Sequence, residues 1–429
     1  MNKLFLSLYS ALMWFAQPFL RLKLVRRGRA EPGYLVNIEE RFGRYEQSAI
    51  VKPRKDPSFV WIHAVSLGET RAAGVLVAAL RDRLPGMRLL LTNGTATGRA
   101  EGEKLLRAGD VQVWQAWDMA AAAERFVQHF QPCMGIMMET ELWPNMAATC
   151  AKHKIPLVIA NARMGEKTYL QTKKFDGLAR PAYASLAAVW PQSAVDADRF
   201  AKLGAPVAGV FGNLKFDAQV DAKQLAQGKN WREQANKPIV MFASSREGEE
   251  LALLQYLQKM SSASSNLLWL IVPRHPQRFA EVESLITQHG FKVSKRSDWL
   301  EQPDTAEPNT IWLGDSLGEM ALYYGMSDAA LLGGSFEPLG GQNLIEAAAC
   351  GCPVVMGPSV FNFSEAAALA IQSGAAFEVN SMPLAVDLAC KLVENKEAVV
   401  AARAAGVQFA TSHQGAAEKT AAAVVQLLS

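Results

Sequence analysis

The chain has 429 residues, half of them hydrophobic and a fifth charged, with a formal net charge of +3. Such a length exceeds one ordinary hydrophobic core and predicts two domains of about 200 residues each. The composition excludes a long disordered tail, and so small a positive balance gives no reason to expect a nucleic-acid partner. Five cysteines, Cys133, Cys150, Cys350, Cys352 and Cys390, are scattered among apolar or small neighbours without a Cys-x-x-Cys pair. That pattern suits reduced, buried thiols in a cytosolic compartment better than disulfides or zinc. The six histidines are equally dispersed, with no His-Glu-x-x-His spacing, so no protein-held metal and no cofactor are expected.

Residues 4–20 are almost uncharged and rich in Leu, Phe, Trp and Ala, and Arg21, Lys23, Arg26, Arg27 and Arg29 follow at once. A secretory signal carries its basic residues before the apolar core; here the order is reversed, so the segment is expected to stay. Ser7, Ser10, Gln17 and Pro18 make it less apolar than a typical spanning helix. A tilted span and an interfacial helix with a polybasic collar both fit it. Either way the basic cluster is expected on the anionic cytoplasmic leaflet, with the body of the protein in the cytosol.

From residue 59 short apolar runs alternate with helical patterns. Residues 59–64, 88–92, 111–115, 133–138, 156–160, 186–190 and 207–211 read as strands; 70–84, 96–106, 120–129, 145–153 and 195–203 read as helices. After a polar, helix-like bridge at 217–237 the rhythm repeats, with strands expected at 239–243, 267–272, 291–294, 310–313, 329–332 and 353–356. This is the alternation of doubly wound parallel sheets, in which ligands bind at the carboxyl ends of strands. An Ala-rich helix at 415–428 closes the chain.

Several loops after these strands carry chemistry. In Ala64-Val65-Ser66-Leu67-Gly68-Glu69, Glu69 stands at a helix start, as a general base or simply as an acid favoured by the helix dipole. Glu139 and Glu141 follow a buried strand, where carboxylates are costly unless they face water or a ligand. Residues 92–98 offer the hydroxyls of Thr95 and Thr97, for polar-substrate binding or for capping. The second half supplies cations and turns: Lys215, Arg246 after Ser245, Arg274 after Pro273, and the turn Gly314-Asp315-Ser316-Leu317-Gly318-Glu319-Met320.

The stretch 331–349 reads as a short strand, a loop holding Gly333-Gly334 and Gly340-Gly341, and an Ala-rich helix with Asn343 and Glu346 in its first turn. Glycines permit close backbone approach, and a helix start offers N–H groups to an anion; an Asn cap with an acid three residues on explains the same pattern without a ligand. Two other patterns lead nowhere. Gly165-Glu166-Lys167-Thr168 lacks the first glycine of a phosphate loop, and Asp196-Ala197-Asp198 falls in a helical run where capping explains it.

Together these residues resemble the 3-deoxy-D-manno-octulosonic acid (Kdo) transferases of Gram-negative bacteria. The resemblance runs from Glu40-Arg-Phe-Gly-Arg-Tyr45 through His63-Ala-Val-Ser-Leu-Gly-Glu69, Met138-Glu-Thr-Glu-Leu-Trp-Pro-Asn145, Ile159-Ala-Asn-Ala-Arg163 and Lys215-Phe-Asp217. It continues in Val272-Pro-Arg-His-Pro276, Asn343-x-x-Glu346, Met356-Gly-Pro358 and Phe361-Asn-Phe363. Arg246 and the loop Phe336-Glu337-Pro338-Leu339 depart from the family pattern.

The resemblance implies an α/β fold of GT-B type: two Rossmann-like, doubly wound parallel-sheet domains facing a cleft, with an N-terminal membrane-anchor helix. It divides the chain into an anchor and basic collar (1–32), an acceptor domain (33–216), a linker (217–237) and a CMP-Kdo donor domain (238–429). It implies inverting transfer of Kdo from CMP-Kdo to the 6′-hydroxyl of a lipid A precursor at the cytoplasmic side of the inner membrane, without a metal. Glu69 would accept the proton, and Glu139 and Lys215 would stabilise the transition state. Pro273, Arg274, Leu317, Gly318, Glu319, Met320, Asn343, Leu344, Ile345 and Glu346 would hold CMP. Beside these, the loops themselves offer Ser245, Arg246, Gly334 and Ser335 as candidate donor-sugar contacts, and Ser66, Gly68, Thr95 and Thr97 as candidate acceptor contacts. Independently, a donor with a phosphate and a carboxylate calls for Arg and Lys, which can stabilise a leaving phosphate where a metal otherwise acts. Two rivals remain open from sequence: another GT-B transferase using a UDP- or ADP-sugar on an envelope lipid, and a non-catalytic membrane-surface binding protein.

Overall fold

A computed structural model describes residues 3–45, 59–235, 237–260, 267–303 and 307–429. The chain forms two compact units, one of residues 1–218 with 414–429 and one of residues 219–413.

The first unit is built on six strands: β1 (Phe59–Ala64), β2 (Arg88–Asn93), β3 (Val111–Trp114), β4 (Met134–Met138), β5 (Leu157–Ala162) and β6 (Ala188–Pro191), in the order β3-β2-β1-β4-β5-β6. Adjacent strands run parallel. Their side chains are buried on both faces, which is why they read as continuous apolar runs rather than alternating ones. Trp61 packs on one face with Phe126, Met146 and Cys150, and Ile62 on the other with Leu76, Leu80 and Val424. The strand order reverses between β1 and β4, which opens a crevice at their carboxyl ends.

The second unit carries β7 (Ile239–Ser245), β8 (Leu268–Pro273), β9 (Lys292–Lys295), β10 (Thr310–Leu313), β11 (Ala329–Leu332), β12 (Val354–Met356) and β13 (Ala376–Glu378), in the order β13-β12-β11-β7-β8-β10-β9. Its neighbouring strands are parallel as well. Here the order reverses between β7 and β11, so the loops after those two strands flank the corresponding crevice.

The structure changes or adds to the sequence reading at four places. Residues 207–211 do not form a strand; only Val207 bridges, to Val189. The three-residue β13 was too short to read. The closing helix, Ala416–Leu428, was assigned to the donor domain, but it returns to the first unit and buries Ala417, Ala421 and Val424 in that unit's core. The bridge is largely a helix, Ala222–Gln234, belonging to the second unit.

The N-terminal helix runs from Lys3 to Ala30, straight through the basic collar. Among the described residues no helix is long and apolar enough to cross a membrane, so the spanning alternative is not supported. One side of this helix docks on the first unit: Met13 packs against its core, and the Ser10 hydroxyl donates to Asn145 Oδ1 at 2.7 Å. Leu4, Leu8, Leu12, Phe15, Phe19 and Leu22 remain exposed.

Candidate active site

In the first unit the chain leaves β1 through Val65 and Ser66 into the helix Leu67–Arg83. The Glu69 N–H donates to Ser66 Oγ at 3.3 Å, and the Ser66 hydroxyl donates to Glu69 Oε1 at 3.0 Å. Glu69 Oε2 accepts from the Val65 N–H at 2.9 Å. This is a capping box, so the structural reading of Glu69 is realised. It does not exhaust the residue. Burial pushes its carboxyl up to about 7; the Val65 and Ser66 hydrogen bonds pull it down, and the nearby Glu139 and Glu141 carboxylates raise it further. A carboxylate poised there exchanges protons near neutrality.

Glu139 is the first residue after β4 and takes a left-handed backbone conformation, φ 58°, that a residue with a Cβ adopts at a cost of about 1–2 kcal/mol. Two backbone bonds hold it: its N–H donates to Ala160 O at 3.0 Å, and its carbonyl accepts from the Arg163 N–H at 3.3 Å. Lys215 Nζ lies 4.0 Å from Glu139 Oε1, both side chains about a fifth exposed. Lys215 is fixed from both sides. Asn213 accepts its N–H at 3.0 Å, and Asp217 accepts the N–H groups of Gly415 and Ala417, the start of the returning helix. The acceptor candidates divide. The hydroxyls of Ser66 and Thr95 are engaged in capping their helices, whereas Gly68 and Thr97 are exposed.

In the second unit four loops leave the carboxyl ends of the adjacent strands β11, β7, β8 and β10. The Arg274 N–H donates to Ser245 O at 3.0 Å, and its Nε donates to Gln342 Oε1 at 3.2 Å. A Cβ built on Gly334 would meet Gln342 Nε2 at 3.1 Å and Arg246 Cγ at 3.7 Å. Arg246, Arg274, Gly334 and Gln342 are thus brought together. The two guanidinium groups also lower the His275 pKa, after burial as the larger cause.

The Gly-Gly loop differs from its sequence reading. Gly334 and Gly341 have φ of 69° and 72° and close on each other through Gly341 N–H to Gly334 O at 2.7 Å. The other three glycine N–H groups are committed too, Gly333 to Ala243 O, Gly334 to Glu249 and Gly340 to Ser359 Oγ. The following helix, Leu344–Ala349, has only six residues, and Asn343 caps it by accepting the Ile345 N–H at 3.2 Å rather than standing in its first turn. An anion here would be met mainly by arginine side chains.

Ser245 and Ser335 need a second correction. Both are fully buried; the Ser245 hydroxyl donates to Glu250, and the Ser335 hydroxyl bonds Leu332 O and accepts from the Gly357 N–H. They hold the loops from beneath instead of facing a ligand. In the turn after β10, Leu317 is exposed and Gly318 has φ 80°, while Glu319, just before the helix Met320–Gly325, pairs with Arg296 at 2.8 Å.

Two carboxylates that sequence reading passed over support these loops. Glu249 gathers three backbone N–H groups, and the fully buried Glu250 binds Arg278 at 2.7 and 3.2 Å. Adjacent acids at a helix start read as dipole-favoured surface residues, and only their burial separates them from that pattern. In the first unit Asp118 was also missed. It accepts from the N–H groups of Asn145 and Met146 at 3.0 and 2.9 Å, hydrogen-bonds Tyr9 of the N-terminal helix, and is pushed up to about 6 by burial.

Comparison with known proteins follows the same lines. A family model described as 3-deoxy-D-manno-octulosonic-acid transferase (kdotransferase) matches residues 36–218. The chain is 39% identical over 413 residues to the 3-deoxy-D-manno-octulosonic acid transferase of Bordetella pertussis, covering 94% of this chain and 95% of that one. It is 31% identical to that of Haemophilus influenzae, covering 96% of each. Among solved structures, a glycosyltransferase from Rickettsia africae shares the fold, with a TM-score of 0.55 at 13% identity over 87% of this chain and 98% of that one.

Proposed function

The chain belongs to the Kdo transferases, a family of glycosyltransferases, and we propose that it moves Kdo from CMP-Kdo to the 6′-hydroxyl of a lipid A precursor with inversion at the transferred carbon. The observation that carries this reading is Glu69: a carboxyl tied into a helix cap yet raised to about 7, with the Glu139 carboxylate near it and Lys215 Nζ 4.0 Å from Glu139. As a base, Glu69 takes the proton of the attacking hydroxyl. Lys215, oriented by Glu139, stabilises charge as the Kdo–phosphate bond breaks.

Arg274, with Pro273, the turn Leu317–Gly318–Glu319–Met320 and the segment Asn343–Leu344–Ile345–Glu346, holds CMP. Arg246 and Gly334 face the donor sugar, on loops braced by Ser245 and Ser335. Gly68 and Thr97 meet the acceptor beside the capping residues Ser66 and Thr95. Arginine and lysine meet the donor's phosphate and carboxylate, so the reaction runs without a metal. One displacement on the opposite face inverts configuration and needs no covalent nucleophile.

The helix Lys3–Ala30 lies in the cytoplasmic interface of the inner membrane. Its exposed Leu and Phe enter the acyl boundary, and Arg21, Lys23, Arg26, Arg27 and Arg29 meet anionic head groups. The test of the reaction uses the full-length protein in detergent with a lipid A precursor, EDTA and radiolabelled CMP-Kdo or UDP-sugars. Label should pass to lipid from CMP-Kdo alone. Transfer from a UDP-sugar, or activity abolished by EDTA and restored by magnesium, would contradict the proposal.

A further inference from the structure

Glu249 is the first residue of the helix Glu249–Lys259 and is only 1% exposed. Its Oε2 accepts the Arg246 N–H at 2.9 Å and the Gly334 N–H at 2.8 Å, and its Oε1 accepts the Phe336 N–H at 3.1 Å. The last two donors lie on the loop after β11, 85 and 87 residues away along the chain, while Arg246 lies on the loop after β7. One carboxylate therefore ties together the two loops that flank the crevice of the second sheet.

A buried carboxylate is costly, and three charge-assisted bonds offset that cost only if all three donors stay in reach. The arrangement consequently fixes the distance between the loops. It also fixes two groups assigned to the donor: the Arg246 main chain, from which its guanidinium projects, and Gly334, whose carbonyl closes the turn with Gly341. The start of the same helix is itself immobilised, since Glu250 is locked between Arg278 and Ser245. Glu249 thus projects from an anchored base.

We propose that Glu249 is a positioning residue of the donor site: it touches no substrate and sets the spacing of the Arg246 and Gly334 loops that receive CMP-Kdo. This rests on the assignment of those loops to the donor. Glutamine has the same shape but a single acceptor oxygen, and its amide group would face an N–H it cannot bond. Glu249→Asp keeps the charge but is one methylene too short to reach both loops.

The experiment measures steady-state transfer by full-length wild type, E249Q and E249D in detergent, varying CMP-Kdo and acceptor separately, with hydrogen exchange of residues 333–341 on the same samples. Loss of charge-assisted bonds predicts a donor KM raised about tenfold or more, with kcat and acceptor KM within about threefold of wild type, and faster exchange at 333–341. E249D, which keeps a charged helix start should E249Q fail to fold, is expected to show the same donor-selective loss. Unchanged donor KM in a folded variant, or donor and acceptor KM rising together, would overturn the proposal. Wild type that transfers nothing from CMP-Kdo would overturn the functional reading and the donor role with it, whereas unchanged exchange at 333–341 would overturn the loop-spacing role alone.

Discussion

At the scale of single residues, Glu69 is a helix-capping side chain to which the proposed mechanism also assigns proton transfer. The capping box places it, and burial beside Glu139 and Glu141 raises its carboxyl from an ordinary 4.5 to about 7. As a base it works only when ionised, so kcat/KM for the acceptor should fall about tenfold per pH unit below about 7 and level off above it. A profile flat from about pH 5.5 to 8 would contradict the assignment.

The same shift has a consequence for stability. A carboxyl raised on folding binds its proton more tightly in the native state, so its contribution is present below the unfolded value and is lost as pH rises through about 7. Glu69→Gln keeps a capping-box side chain and removes the buried charge. It should be inactive yet more stable than wild type near pH 8, by on the order of 2 kcal/mol in denaturant unfolding; a destabilised variant would contradict this. The sequence places Glu69 at a helix start, although the helix expected from residue 70 begins at Leu67, capped by Ser66. The left-handed backbone of Glu139 and the burial of Glu249 were not legible in it, because both depend on loops brought together from distant parts of the chain.

At the scale of elements, the interior strands were legible because parallel strands buried on both faces leave uninterrupted apolar runs, as in β1, β10 and β11. Residues 207–211 looked the same and do lie along the free edge of β6, with Ala208 N–H to Val189 O and Phe211 N–H to Pro191 O, but Gly209 at φ 144° interrupts the extended run and only one bridge forms. The Ala-rich stretch after Asn343 stops after six helical residues at Cys350, followed by Gly351 with φ 70°. The apolar N-terminal segment read as a possible span, but Ser10 and Met13 are committed to the body of the first unit. Its outward stripe can be tested without disturbing that docking. Replacing Phe15 and Phe19, 68% and 75% exposed, by Ser should release the protein from anionic vesicles in flotation while transfer in detergent stays near wild type. Undiminished vesicle binding would contradict an interfacial role for this stripe.

At the scale of the whole molecule, the chain passes between its two units twice, near residues 218 and 413, and Asp217 clasps the returning segment at Gly415 and Ala417. Local pattern carried the two-sheet architecture, but the allegiance of the last helix rests on which apolar surface was left uncovered, a long-range fact. The proposed division of labour follows the units: Glu69, assigned to proton transfer, lies in the first with Glu139 and Lys215, and the arginines assigned to the donor lie in the second. Removing the Glu69 carboxylate should therefore stop chemistry without weakening nucleotide binding. The most direct test is mass spectrometry of the lipid product formed from CMP-Kdo by wild type and Glu69→Ala, with CMP affinity measured calorimetrically on both. Wild type should add the mass of Kdo to the lipid A precursor, and the variant should add none while binding CMP within about twofold of wild type. Turnover by the variant at a rate near wild type would contradict the central claim that Glu69 takes the proton.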